Sequence, residues 1–332
     1  MRVGVRTESM ADDRLRYIKQ LGVDDVFVDH AFDAEGPDVL TIRPDHIPTT
    51  QDLVQARKRV EDAGIRFAGV QSLTGAMYDD IMFGRPGKAD QIESITQLIR
   101  NMGKANIPIL GYQWNPRAAG VVKRTSRTHR IRGNAQASAF DLSEVNDAEA
   151  ASGDCPDYTE TAFWSNYEAF LSAVLPVAEE AGVRLALHPA DPPTVERLEG
   201  IPRLFRDVES FERAMDLVPS DNHGLKLCLG CFSQMGADVA EVVRTFGRRD
   251  EIVFVHFRDV VGTMPCFHET FVDDEASNFD EYQVMTVLDD VGFDGVMVPD
   301  HVPVVEGDTD WGHRARGFTA GYLRGLFRGL GR

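Results

Sequence analysis

The chain has little lysine. Of 35 basic residues in 332 only six are lysines, at 19, 58, 88, 104, 123 and 226, and the rest are arginines. Against 53 Asp and Glu this leaves a net charge of −18 and a pI near 4.9. No basic face is available to neutralise phosphates, which excludes a nucleic-acid-binding protein; the run VVKRTSRTHRIRG is the one local exception. A carboxylate-dominated surface with lysine suppressed predicts a protein adapted to high salt. Cysteine is scarce too: residues 155, 228, 231 and 266 are too few for a disulfide framework, so free thiols in a reducing compartment are expected. No apolar run approaches a membrane span, and the chain enters a strand-like segment within a few residues, leaving no signal peptide. A cytoplasmic protein with neither nucleic-acid nor membrane partners is expected. No Ser/Gly/Pro-rich linker divides the sequence, which reads as one domain over 1–332.

What is present is a regular alternation. Short β-rich segments recur at MRVGVRT, DDVFVDH, IRFAGVQS, IPILGYQW, VRLALHP, GLKLCLG, IVFVHFRD and GVMVPDH. Between them lie helical patterns such as TTQDLVQARKRVEDAG and WSNYEAFLSAVLPVAEEAG, with Asp or Thr near the start and Gly at the end. Several strands are almost wholly apolar, as a sheet covered on both faces requires. Eight such units predict an α/β fold, a (β/α)8 TIM barrel, in 332 residues. One gap is too long for an ordinary loop. The insertion over 115–160, after the fourth strand, is Arg-rich early and rich in Asp, Glu and Ser later; it is expected either to lid a site, to build a homo-oligomer contact, or to be a solvated excursion.

Four metal-loving side chains stand at the ends of the last four strands: His188 after VRLAL, Cys228 after GLKL, His256 after IVFV and Asp300 after GVMVP. A parallel barrel aims its strand ends at one rim, so residues far apart in sequence converge there. Each has a plainer reading: a strand-end His is often incidental, and a free Cys is commonly a small core hydrophobe. Cys231 makes a Cys-Leu-Gly-Cys pair with Cys228, but no second pair supports a zinc ribbon. Coincidence accounts for one such residue and poorly for four, because an unpaired carboxylate at a core edge is costly. A Cys, two His and an Asp suit a divalent transition ion (Mn, Fe, Co, Ni or Zn) better than Mg or Ca. By strand alternation Arg258 shares a face with His256, and Lys226 one with Cys228.

The stretch LPVAEEAGVRLALHPADPP, followed in order by GIPRLF, GLKLCLGCFSQMG, VFVHFRD, CFHETF and PDH, resembles the mannonate dehydratase family. The resemblance spans most of the chain, is densest from Ala162 onward, and includes VEDAGIRFAGVQS and GYQWNP earlier. It implies a xylose-isomerase-like (β/α)8 barrel, a divalent metal that is typically Mn²⁺, and removal of water from a sugar acid, D-mannonate, to give 2-keto-3-deoxy-D-gluconate. It puts the metal on His188, Cys228, His256 and Asp300, a catalytic acid on His301 and substrate contacts on His268, Glu269, Arg258, Trp114 and Asn115. Lys226, from its strand face shared with Cys228, is expected to pair a buried carboxylate or reach substrate. His301 has a second reading, as a hydrogen-bonding support for the ligands. The family's Arg-Pro-Asp-His-Gly stands here as Val298-Pro299-Asp300-His301-Val302, and its Gly-Tyr as Gly312-His313, so His313 is the candidate replacement base. These departures leave open a metal-dependent sugar isomerase or epimerase on the same barrel, and a non-catalytic sugar-acid-binding relic.

Overall fold

The computed structural model describes residues 1–29, 36–114, 124–145, 159–193, 197–198 and 201–332. All eight expected strands form: β1 (Arg2–Thr7), β2 (Asp25–Val28), β3 (Arg66–Val70), β4 (Ile109–Gln113), β7 (Arg184–His188), β10 (His223–Cys228), β11 (Ile252–Phe257) and β14 (Val296–Pro299). They close in the order β1-β2-β3-β4-β7-β10-β11-β14, every neighbouring pair parallel. Helices cover the outside, and β2, β10, β11 and β14 are buried at every position, which is why their sequences lack the polar–apolar alternation of a half-exposed strand.

The connecting helices follow their local signals. Thr49 and Asp52 form a reciprocal capping box before the helix Thr50–Asp62, and Asp207, Asp238 and Asp280 each cap a later helix through a backbone N–H. The helix Glu160–Ala181 starts on Thr159 and stops at Gly182, whose φ of 65° is the left-handed turn that ends a helix most cheaply with glycine. No helix among the described residues is long and apolar enough to cross a membrane.

Two features position the site. Inside the barrel, Phe27 stacks on Phe254 with ring centroids 4.2 Å apart, among Ala68, Ala186, Val296 and Val298, so the lower barrel is an apolar plug. Register then sets what stands on it: Cys228 lies level with His256, His256 with Val298, and Gln113 with His188. The inward-facing ends of these strands therefore form one polar layer above the plug. The second feature comes from the insertion, whose described residues carry β5 (Ser126–Arg130) and β6 (Gln136–Asp141). These join β12 (Val260–Thr263) and β13 (Cys266–Glu269), from the segment after β11, in an antiparallel sheet ordered β12-β13-β6-β5 around Phe140, Val260 and Phe267. β8 (Arg197–Leu198) and β9 (Ile201–Pro202) form a separate small hairpin.

Candidate metal centre and its acid–base network

The polar layer gathers His188, Cys228, His256 and Asp300, one ligand atom from each lying within 4.8 Å of the others. All four are buried. Pro189 ends β7 immediately after His188, and its carbonyl accepts a 2.8 Å hydrogen bond from His188 Nδ1, which leaves Nε2 as the free donor atom of that ring. His256 is turned the other way. Its Nε2 meets the Gln71 amide at 2.6 Å, while Nδ1 lies 3.2 Å from Asp300 Oδ2 and has no well-formed hydrogen bond among the described residues.

The protonation states suit a cation. Burial lowers the His188 pKa and keeps the imidazole neutral. Burial alone would raise the Cys228 thiol, but Cys231, Arg258 and the two histidines outweigh it and hold Cys228 well below the usual thiol range. Cys231 is pushed the other way, by burial and by its charged neighbour. Asp300, despite burial, is held well below the ordinary carboxylate range by His256, His301 and Arg258. A thiolate, imidazole nitrogens and a carboxylate are donors that ligate a transition ion, and Nδ1 of His256 faces the cluster; the residues fit a divalent metal.

Beside this group lies a second, Asp191, Glu269 and His301. Arg258 bridges the two, with Nε 3.0 Å from Asp300 Oδ2, Nη2 3.1 Å from Asp191 Oδ2 and Nη1 3.5 Å from Glu269 Oε1. Arg124, from the insertion, reaches Asp191 at 2.9 Å and Glu269 at 2.5 Å, and Ser138 donates to Glu269 Oε2 at 2.5 Å. The other oxygen of Glu269 contacts His301 Nδ1 at 2.5 Å. Burial lowers the His301 pKa, but Asp300 and Glu269 outweigh it, and the net shift is upward. Glu269 in turn is held well below the ordinary range by His301 and Arg124 against the cost of burial. His301 is thus an imidazole biased toward carrying a proton, with its side chain 38% exposed at the rim.

A family model described as D-mannonate dehydratase (UxuA) matches residues 8–153 and 156–332. The chain belongs to the D-mannonate dehydratase family. A mannonate dehydratase of Streptococcus suis (strain 05ZYH33) is 29% identical over 304 residues, covering 83% of this chain and 81% of the relative. One from Streptococcus agalactiae serotype III is 28% identical over 302 residues, covering 83% and 85%. Among solved structures, mannonate dehydratase from Streptococcus suis serotype 2 superposes with a TM-score of 0.85 at 27% identity, covering 100% of this chain and 95% of that one. A xylose isomerase domain protein from Planctomyces limnophilus, with a TM-score of 0.61 at 14% identity over 98% and 95%, shares the barrel fold.

Within the family frame, the residues expected from sequence fall into three places. The four ligand candidates, His301 and Glu269 come together. Lys226 lies beneath them, buried, with Nζ donating to the Gln71 backbone carbonyl at 2.6 Å and its pKa lowered to about 7 by burial and by Arg6. Arg258, expected among the substrate contacts, is buried with its fork occupied by Asp300, Asp191 and Glu269, and so buttresses protein carboxylates. The remaining residues face elsewhere. Strand alternation on β13 turns His268 away from Glu269, and it stacks on His129 at 4.3 Å. Trp114 points outward from β4 into the helical layer, beside Tyr78, Tyr167 and Phe170. His313 opens the helix His313–Gly329, bonds to Thr309 and packs 4.7 Å from Tyr17 of the outer helix Asp12–Gln20. Asn115 lies outside the described residues.

Sequence reasoning missed Arg6, Asp29, Gln71, Arg124, Ser138, Asp191 and Arg316. Arg6 Nε bonds Asp29 at 2.8 Å and its Nη1 reaches Asp300 Oδ1 at 3.4 Å; Arg316 donates to the carbonyls of Pro299 and Asp300 at 2.9 and 3.1 Å, pinning the end of β14. Arg6 and Asp29 do sit at strand ends, which was the signal used for the metal ligands; an arginine there simply reads as surface charge.

Proposed function

We propose that this chain is a divalent-metal-dependent hydro-lyase acting on a sugar acid, with D-mannonate as substrate, 2-keto-3-deoxy-D-gluconate and water as products, and Mn²⁺ as the ion. The observation that carries the reading is the approach of His188, Cys228, His256 and Asp300 to within 4.8 Å of one another, with the His301–Glu269 pair beside them. The first four hold the ion. When bound, it would supply Lewis acidity toward the sugar acid's oxygens, lowering the cost of the enolate-like charge that develops at C2.

The chain's own residues supply the rest. His301, biased toward the imidazolium by Asp300 and Glu269, protonates the departing hydroxyl at C3, so that water and not hydroxide leaves. The C2 proton passes to solvent, giving the enol, which ketonises by losing its hydroxyl proton and gaining one at C3; hydrogen from C2 and hydroxyl from C3 make the one water lost. Glu269, bonded to His301 Nδ1, sets the ring orientation and points Nε2 toward the reacting face; Ser138 and Arg124 hold Glu269 from the insertion side. Arg258 offsets the charge of Asp191 and Glu269 next to the centre.

The test is incubation of the purified protein with Mn²⁺ and D-mannonate in molar salt, as the lysine-poor, acid-rich composition recommends, with detection of the 2-keto-3-deoxy acid. Formation of that acid at a metal-dependent rate is the expected result. Interconversion of neutral sugars without loss of water would replace the reading with an isomerase.

A further inference from the structure

Gln71 is a polar side chain of the polar layer that the proposed chemistry does not use. It directly follows β3, is 2% exposed, and has its amide 2.6 Å from His256 Nε2. The amide's other terminus, Oε1 as placed, has no hydrogen-bond partner among the described residues. A buried amide with one end spent on a metal-ligand candidate and the other idle is costly unless the contact serves that candidate.

The surroundings hold Gln71 in place from its backbone. Lys226 reaches across the barrel interior from β10 and donates to the Gln71 carbonyl at 2.6 Å. Room for that contact depends on Gly111 of β4, where a Cβ would lie 2.1 Å from the same carbonyl oxygen and 3.0 Å from Lys226 Nζ. Lysine, glycine and glutamine thus form one unit under His256.

We propose that Gln71 is a positioning residue of the metal centre, accepting the Nε2 proton of His256 through its amide oxygen and so presenting Nδ1 to the ion. This rests on the assignment of His256 as a ligand. Nδ1 is the ring nitrogen that faces Asp300, at 3.2 Å, with no well-formed hydrogen bond among the described residues; it can ligate only when the proton sits on Nε2, and Nε2–H then needs an acceptor. A half-turn of the amide places Oε1 on Nε2 with no other atom moved. Ligand and support swap nitrogens between the two histidines: His188 keeps its proton on Nδ1, toward Pro189, and His256 keeps its proton on Nε2, toward Gln71.

The experiment is titration of Co²⁺ into chelator-treated protein, read by visible absorption, for the parent, Gln71→Leu, Gln71→Glu, and the ligand variants Asp300→Asn and His256→Ala. Leucine offers no acceptor, and Gln71→Leu is expected to weaken Co²⁺ by about 10- to 100-fold, the usual cost of losing such a support, with an altered cobalt spectrum. A carboxylate accepts the same proton, and Gln71→Glu should retain the parent's spectrum with affinity within about threefold, well inside that loss. Parent-like binding and spectrum in Gln71→Leu, or Gln71→Glu as weak as Gln71→Leu, would overturn the proposal. The ligand variants separate the two levels. Should they bind Co²⁺ as the parent does, the metal-site reading itself falls; should they lose it while Gln71→Leu does not, only the role of Gln71 falls.

Discussion

Two clusters of acidic and imidazole groups stand side by side on this rim, and by distance alone either could surround a cation. Their neighbours separate them. In the inner cluster the donors include a thiolate and imidazole nitrogens, whose lone pairs a metal satisfies and a guanidinium does not. In the outer cluster both carboxylates, Asp191 and Glu269, are clamped by Arg124 and Arg258. The outer cluster is already neutralised, and what it has left to offer is a proton on His301. Arg258 and Arg6 also reach Asp300 of the inner cluster, so the donor set is what separates the two: on the proposed reading the thiolate and imidazoles make the inner cluster a site for an ion, and His301 makes the outer one a site for a proton.

Removing an inner ligand should have the largest effect. Cys228→Ala is expected to take bound metal, measured by elemental analysis, from about one ion per chain to near none, and activity with it, since ligands supply most of the binding free energy of such sites. If the variant keeps its metal, the division between the clusters is wrong. His301→Asn should do the reverse: full metal content, with kcat lower by about 10²- to 10⁴-fold, the range of general acid catalysis. Loss of metal from this variant would make His301 a support for the ligands and not an acid.

Arg124→Leu probes how the outer cluster is neutralised. The Arg124 side chain is 4% exposed, and its loss leaves buried Glu269 and partly buried Asp191 sharing Arg258; a destabilisation of about 3 kcal/mol is expected by chemical denaturation. The pH dependence sharpens this. Asp191 and Glu269 have folded pKa values below the ordinary range, so the unfolded chain binds more protons and their contribution to stability is present above about pH 4 and lost in acid. Without Arg124 that acid slope should flatten. An unchanged slope would mean that Arg124 is not what depresses these carboxylates.

The barrel was legible because apolar strands, terminal glycines and Asp or Thr caps are local signals, and all eight strands formed where the pattern put them. The inner cluster was legible for a related reason: it consists of strand ends, and the topology of a parallel barrel converts strand ends into neighbours. The outer cluster was not. Arg124 and Ser138 reach Glu269 only through the pairing of β6 with β13, a register that joins residues more than a hundred positions apart and has no periodic trace in the sequence. His268 shows the same limit from the other side: adjacent to Glu269 in sequence, it points away because strand neighbours face opposite sides. The sequence reading grouped the two, and the sheet separates them.

His313 completes the comparison with the smallest expected effect. Sequence position made it the candidate base, yet its ring packs against Tyr17 and Trp311, and its backbone carbonyl accepts from the Tyr17 hydroxyl at 2.7 Å, all on the outer side of the rim. Burial and Arg14 lower its pKa, so it is neutral near pH 7, which a base requires but which placement against an outer helix does not exploit. Phenylalanine keeps the aromatic packing and removes the nitrogens. His313→Phe should therefore leave kcat within about threefold of the parent, less than 1 kcal/mol of barrier, with metal content unchanged. A loss of a hundredfold or more would put His313 back at the reacting carbon and require the turn around Gly312, where φ is 78°, to swing the ring inward when substrate binds.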